Sequence, residues 1–160
     1  MSRLSESLAI VPMMEPKDKT AAAYVSDAVD LSLFNSFTII ISLGAITGNT
    51  VLTVYQDATA ALATALTTAV AFKYRLSAAD FKATTADQWG EPTAVLSTGL
   101  TMTATTFDHR LVAIEIDPDT LTTTQRFVAF NMDATGNPLL VSAIGIGESR
   151  YPGHLIPTAV

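Results

Sequence analysis

Apolar and polar residues alternate along several short segments of this chain, with the two-residue period of a β-strand. Between residues 36 and 43, Phe37, Ile39 and Ile41 fall on one side of an extended strand and Thr38 falls on the other. The same period recurs in further segments: 51–55, 70–76, 111–116, 127–132 and 139–146. Glycine, asparagine, aspartate and proline separate these segments, which predicts short strands joined by turns.

Seven or eight strands of this kind predict an all-β fold, a jelly-roll-like β-sandwich or barrel. The segment 58–69, rich in Ala, Leu and Thr, is expected to form a loop or a short helical excursion. Gly145 and Gly147 are expected to terminate the last strand. The expected core comprises Phe37, Ile39, Ile41, Val54, Phe72, Tyr74, Ile114, Val128, Phe130 and Ile144.

The pattern divides the chain into an N-terminal arm (1–22), a β-barrel domain (23–149) and a C-terminal arm (150–160). Pro12 and Pro16 interrupt any helix in the first arm. Two interpretations of this arm stay open: its apolar side chains cover a neighbouring subunit, or it adds a strand to the domain's own sheet. The apolar side chains of both arms are candidates for partner binding: Leu8, Ile10, Val11, Met13, Met14, Tyr151, Leu155 and Ile156.

Composition narrows the classes of partner. The 160 residues carry a formal net charge of −6, which argues against a surface that tracks nucleic-acid phosphates. No run of apolar residues reaches the roughly 20 that a transmembrane helix needs, so no membrane partner is expected. Hydrophobic residues make up 49% of the chain and charged residues only 15%, so part of the apolar surplus is expected to cover a partner.

The residues that carry catalysis or bind metals are sparse. Cysteine is absent, and neither His109 nor His154 has a second histidine at metal-ligand spacing. Asp117 and Asp119 flank a proline after a strand; a turn explains them, and calcium ligation is the weaker alternative. We therefore expect no enzymatic activity, no bound metal and no cofactor. Trp89 lies in a predicted loop, where it either anchors an interface or caps the end of the barrel.

Three runs of sequence together resemble a known family. They are VDLSLFNSFTIIISLGAITG (29–48), LVAIEIDP (111–118) and VSAIGIGESRYP (141–152). Over about residues 24–152, the chain resembles small structural proteins of tailed bacteriophages that are encoded near the major capsid gene. Members of this group look like auxiliary capsid proteins, also called decoration or cement proteins, with a β-barrel body and extended arms.

The resemblance implies a non-enzymatic virion protein that binds and stabilises the lattice of the major capsid protein. It also implies a homo-oligomer, most simply a trimer, on the capsid surface after synthesis in the host cytoplasm. One alternative is another phage structural module, such as a head fibre, an adaptor or a host-surface-binding protein. The other is a carbohydrate-binding β-sandwich, although a single tryptophan and scattered tyrosines do not obviously supply a row of exposed aromatic rings.

Overall fold

The computed structural model describes residues 8–18, 23–60, 68–85, 87–133 and 138–150. In this part of the chain, two antiparallel sheets form a sandwich-like fold, which confirms the predicted all-β class. The strands are β1 (Ala9–Asp18), β2 (Tyr24–Val25), β3 (Val29–Asp30), β4 (Phe34–Ile46), β5 (Thr50–Asp57), β6 (Thr68–Val70), β7 (Phe72–Leu76), β8 (Thr93–Val95), β9 (Leu100–Met102), β10 (Leu111–Ile116), β11 (Phe127–Met132) and β12 (Leu139–Ser149). The helical elements are α1 (Ala104–Phe107) and two 3-10 turns, Leu31–Leu33 and Pro118–Thr120.

The strands divide between two sheets. Sheet A has the order β1-β12-β4-β10-β7-β8, and sheet B has the order β2-β11-β5-β6. In sheet B, β3 also pairs with β11, and β9 also pairs with β5. The long strand β4 lies at the centre of sheet A, where Ile41 pairs with Val112 of β10 and with Ala143 of β12.

One hydrophobic core joins the two sheets. Sheet A contributes Phe37, Ile39 and Ile41, and sheet B contributes Val54 and Phe130; all are at most 1% exposed. These side chains follow the strand alternation seen in the sequence, because successive residues of a strand point to opposite faces. Of the ten expected core residues, eight are buried, Tyr74 is half-buried and Ile144 is exposed.

The expectation of an extended N-terminal arm is wrong for residues 9–18. This segment is strand β1, which pairs antiparallel with β12 from Ala9 opposite Gly147 to Asp18 opposite Leu140. Val11, Met13 and Met14 are buried in the core, which explains why an otherwise irregular segment is so rich in apolar side chains. The edge-strand interpretation therefore holds, and the sandwich includes residues 9–18, which precede the predicted domain boundary at residue 23.

The predicted strand 70–76 is two strands in different sheets. The chain leaves sheet B after Val70 and enters sheet A at Phe72, with Ala71 as the connection. Thr68 and Ala69 belong to β6, and residues 61–67 of the expected loop or helix lie outside the described residues. None of the helices in the described ranges has the length and apolarity to cross a membrane.

Strand β12 reverses the expected distribution of large and small side chains. Gly145 and Gly147 do not terminate the strand but lie within it, pointing into the core. A Cβ atom at Gly145 would overlap the Phe37 ring, and one at Gly147 would overlap the Phe34 ring. The isoleucines that alternate with these glycines, Ile144 and Ile146, point outward, and Ile144 is 42% exposed.

Candidate protein-binding surface

The outer face of sheet A carries a group of aliphatic side chains, in which Ser142, opposite Ser42, separates Leu140 from the others. The strand register places Ile10 opposite Ile146, and it places Pro12 opposite Ile144, which in turn lies opposite Ile40. Ile10 is 49% exposed, a large fraction for an isoleucine within a regular sheet. We call this group the outer-face patch: Ile10, Pro12, Ile40, Leu140, Ile144 and Ile146.

The patch extends along β12 and includes residues of its two neighbouring strands, β1 and β4. From Leu140 to Ile146 it covers roughly 20 Å, and from β1 to β4 roughly 10 Å. At one end, Leu140 and the 45% exposed Phe81 line a shallow cleft of about 340 Å³, together with Gly44. An outward sheet face is ordinarily polar, so these exposed aliphatic side chains make the area a candidate for protein contact.

The remainder of the same face is ionic. Beyond Ile40, the register continues to Ala113 and then to Arg75 of β7. Arg75 Nε lies 3.0 Å from Glu115 Oε1, and the exposed Lys73 is directly opposite Glu115. The outer face therefore has its aliphatic side chains on β1, β12 and β4 and an ionic group on β10 and β7.

A turn at Asp108 and His109 holds Phe81 at the end of the patch. Asp108 Oδ1 accepts a 2.7 Å hydrogen bond from the Ile46 amide, and Oδ2 lies 2.9 Å from His109 Nδ1. The bond from Ile46, followed by that from His109, lowers the pKa of the Asp108 carboxyl. His109 has a φ of 53°, and its carbonyl accepts a 3.0 Å bond from the Phe81 amide. The interactions of this turn are those of a structural connection.

The two aspartates considered as calcium ligands have protein partners. Asp117 Oδ1 accepts a 3.0 Å hydrogen bond from the Asp119 amide and caps the 3-10 turn Pro118–Thr120. Asp119 Oδ1 lies 3.0 Å from Arg150 Nη2. Within the described ranges, no group of three or more histidine, aspartate or glutamate side chains is placed to hold a metal ion. The turn interpretation accounts for the Asp117 carboxylate, whereas the Asp119 carboxylate pairs with Arg150.

The residues that the sequence suggests as candidates for partner binding lie in different parts of the structure. Ile10 belongs to the outer-face patch, and Leu8 is half-buried just before β1. Val11, Met13 and Met14 are not available to a partner, because β1 pairs with β12 and these side chains are buried in the core. Trp89 is 42% exposed and pairs with Ser77 beside β7, away from the patch. Three nominated residues lie outside the described residues: Tyr151, Leu155 and Ile156.

Sequence reasoning missed most of the patch. The alternating pattern predicts a strand that contains Leu140 and Ile144, but it predicts that Ile144 points inward, whereas Ile144 is 42% exposed. The signal that could have oriented β12 is the pair Gly145 and Gly147, since glycine at alternate positions of a strand indicates the close approach of another group. That group is the pair of phenylalanine rings on β4.

Comparisons with known proteins give weak matches. No protein family matches the chain, and no curated protein does. The crystal structure of the SPBc2 prophage-derived protein YomS is similar over 88% of this chain and 93% of its own, with 10% sequence identity and a TM-score of 0.42. The structure of infectious bursal disease virus, Gx strain, is similar over 96% of this chain and 43% of its own, with 11% identity and a TM-score of 0.21. Neither likeness is strong enough to support a conclusion about function.

Proposed function

We propose that this chain is a non-enzymatic structural protein of a tailed-phage virion, which binds the major capsid protein and acts as a decoration or cement protein. The observation that carries the proposal is the outer-face patch, because six aliphatic side chains share one outward sheet face. The sequence resemblance to auxiliary capsid proteins supplies the identity of the partner. In this proposal the protein acts on the capsid surface after synthesis in the host cytoplasm.

The patch is suited to protein contact because it belongs to a rigid part of the fold. Its residues lie on β1, β12 and β4, which are paired along most of their length. Rigid side chains lose little conformational entropy when a partner covers them, so more of the contact energy remains as affinity. A flat aliphatic area with a charged border resembles the apolar core and polar rim of protein interfaces.

The limited size of the patch favours binding within a repeated assembly. At roughly 20 Å by 10 Å, the patch is small beside the roughly 800 Å² that each partner contributes to a standard interface. Several copies joined in one oligomer multiply such contacts through their high effective concentration. We therefore include in the proposal a homo-oligomer, most simply a trimer, which matches three-fold positions of a capsid lattice.

Particle occupancy tests the proposal directly. Particles of the phage that encodes this chain are assembled with the wild-type protein, with the double variant Ile10→Ser/Ile144→Ser, or with the control Leu96→Ser. Leu96 is 73% exposed and lies outside the patch, so its variant also removes an exposed aliphatic side chain. We expect the double variant to reduce occupancy on the capsid about tenfold or more, with a nearly unchanged melting temperature, and the control to retain occupancy.

Cryo-microscopy of the same particles locates the protein. Density on the outer capsid shell agrees with the proposal, whereas density only on the tail or on fibres would replace it with another phage structural role. Full capsid occupancy by a folded double variant would remove the outer-face patch as the attachment surface.

A further inference from the structure

The outer face of sheet A has a hollow where small residues replace large ones. Ser42 of β4 lies opposite Ser142 of β12, and Gly44 lies beneath the side chain of Leu140. A Cβ atom at residue 44 would be 2.8 Å from Leu140 Cβ, so any larger residue there would displace Leu140. These three small residues and Leu140 line the cleft of about 340 Å³ at the end of the outer-face patch.

Phe81 lines the same cleft, and hydrogen bonds of the backbone hold it in place. The His109 amide donates to the Gly44 carbonyl at 3.0 Å, and the Phe81 amide donates to the His109 carbonyl at 3.0 Å. Asp80 Oδ1 accepts two amides of the turn that follows, at 3.0 and 3.1 Å. Phe81 is 45% exposed and Leu140 is 48% exposed, so the cleft offers two apolar side chains on ordered backbone.

The volume and lining of the cleft suit a single ring with a polar tip. Pockets for drug-sized ligands run from roughly 300 to 1,000 Å³, and this cleft of about 340 Å³ lies at the lower limit. Leu140 and Phe81 offer apolar surface, whereas Ser42 and Ser142 offer hydroxyl groups. An aliphatic side chain would take these hydroxyls out of water without a partner, which is unfavourable. A phenol ring supplies both an apolar body and a hydroxyl.

The charged residues at the cleft favour an uncharged occupant. Lys17 and Asp18 line it side by side, so their opposite charges leave no net attraction for an acidic or a basic side chain. Phe81 supplies a ring, and two aromatic rings attract each other in edge-to-face or offset arrangements beyond the effect of buried area. The occupant that matches all of these features is a tyrosine side chain.

We propose that the protein partner of the outer-face patch inserts a tyrosine side chain into this cleft. The inference rests on the proposed function for the partner, the major capsid protein, and adds the side chain that anchors it. The cleft continues the patch, because Leu140 belongs to both. A large aromatic side chain in a preformed pocket is the kind of contact that dominates the binding energy of an interface. One such anchor compensates for the limited area of the patch.

Phenol, the ring of tyrosine without its chain, is the probe for the cleft itself. In a titration of isotope-labelled protein followed by nuclear magnetic resonance, we expect saturable shifts of the Gly44, Phe81 and Leu140 amides, with a Kd in the millimolar range. Benzene lacks the hydroxyl and is expected to bind at least about fivefold more weakly. Ser42→Leu fills the floor and is expected to abolish the shifts. Ser36→Leu, the same change on the same face of β4, is expected to retain them.

A second variant keeps the titration decisive if Ser42→Leu lowers the melting temperature. Phe81→Ala removes one apolar side chain of the cleft at an exposed position, so the fold is retained. Its affinity for phenol is expected to fall about fivefold or more. Three results would each overturn the proposal: no saturable shift at these amides, equal binding of phenol and benzene, or unchanged phenol affinity of Phe81→Ala.

Capsid occupancy separates insertion of a ring from simple coverage of the surface. Ser42→Leu adds apolar area to the outer face while it closes the cleft. A partner that only covers the surface would bind this variant at least as well as the wild type. A partner that inserts a ring is expected to lose about fivefold or more in occupancy, and Ser36→Leu is expected to cause no such loss.

The outcomes distinguish this proposal from the proposed function. Undiminished occupancy of Ser42→Leu, together with reduced occupancy of Ile10→Ser/Ile144→Ser, would overturn the tyrosine anchor and leave the capsid role intact. A wild-type protein that is absent from capsids but still binds phenol in the cleft would remove the capsid role and leave the aromatic subsite for another protein partner.

Discussion

Strands β4 and β12 are neighbours in sheet A, yet around Ile41 they bury side chains of very different size. Strand β4 directs Ile39 and Ile41 inward, whereas the residues opposite them on β12 are Gly145 and Ala143. The difference shows that two adjacent strands share one core volume. Where one strand supplies phenylalanine and isoleucine, its neighbour has room only for small residues, because protein interiors are close-packed.

This sharing of volume explains the outer-face patch. The Phe37 ring lies against Gly145, and the Phe34 ring lies against Gly147. Ile144 and Ile146 alternate with these glycines, so they point to the opposite face of the strand. The rings that complete the core thus leave Ile144 and Ile146 on the outer face, where a partner can cover them.

The largest expected effect comes from removing one of those rings. Phe37 is 1% exposed, so Phe37→Ala is expected to lower the free energy of unfolding by about 3–5 kcal/mol, through lost apolar burial and an unfilled cavity. Urea denaturation of wild type and variant measures the difference. A loss below about 1 kcal/mol would mean that the ring does not fill the space between β4 and β12.

The second effect tests the fit of ring and glycine as a pair. Gly145→Ala is expected to cost about 1–3 kcal/mol, because the new methyl group overlaps the Phe37 ring. In the Phe37→Ala background the same change is expected to be nearly neutral, since the ring is gone. A double-mutant cycle measures the coupling. Additive losses would show that Gly145 is needed for a reason other than the ring.

The sequence predicted the β class and most of the core, because alternation is a local signal. Phe37, Ile39, Val54 and Phe130 lie where the pattern placed them. The inward face of β12 depends on which strand lies beside it, and neighbours in a sheet are set by topology. The continuous alternation through Ala71 likewise concealed a change of sheet, since each strand remains extended on both sides of the connection.

The candidate surface was less predictable than the core for the same reason. Ile10, like Val11 and Met13, is a candidate for partner binding from the sequence. Only Ile10 faces outward, because the pairing of β1 with β12 decides which side of β1 is buried. The outward position of Leu140 depends on the strands beside it, where Leu140 lies opposite Asp18 and near Gly44. A surface assembled from three strands distant in sequence leaves no compact motif.

A third, smaller effect concerns the turn that holds Phe81 at the end of the patch. Asp108→Asn removes a charged acceptor for the Ile46 amide and is expected to cost on the order of 1 kcal/mol or less at neutral pH, since the group is partly exposed. The folded-state pKa of Asp108 is lowered, so its contribution is complete above the unfolded pKa of about 3.9 and is lost as pH falls through the folded pKa.

Urea denaturation of wild type and Asp108→Asn between pH 2 and pH 7 checks this dependence. The difference between the two proteins is expected to be constant above about pH 5 and to shrink in acid. A difference that stays constant down to pH 2 would show that the carboxylate charge is not what stabilises the turn.

The smallest effect on stability is expected at Ile144, and it separates the two faces of the sheet most directly. Ile144→Thr retains a β-branched side chain at an exposed position, so the expected change in the free energy of unfolding is within about 0.5 kcal/mol. The matched variant Ile41→Thr places a hydroxyl in the core and is expected to cost about 2 kcal/mol or more.

The free energies of unfolding of both variants are measured at two protein concentrations tenfold apart. If copies associate through the outer-face patch, the loss for Ile144→Thr grows with protein concentration, because association stabilises only the folded state. A loss above about 1 kcal/mol that does not depend on concentration would instead assign Ile144 to the core and remove the basis of the patch.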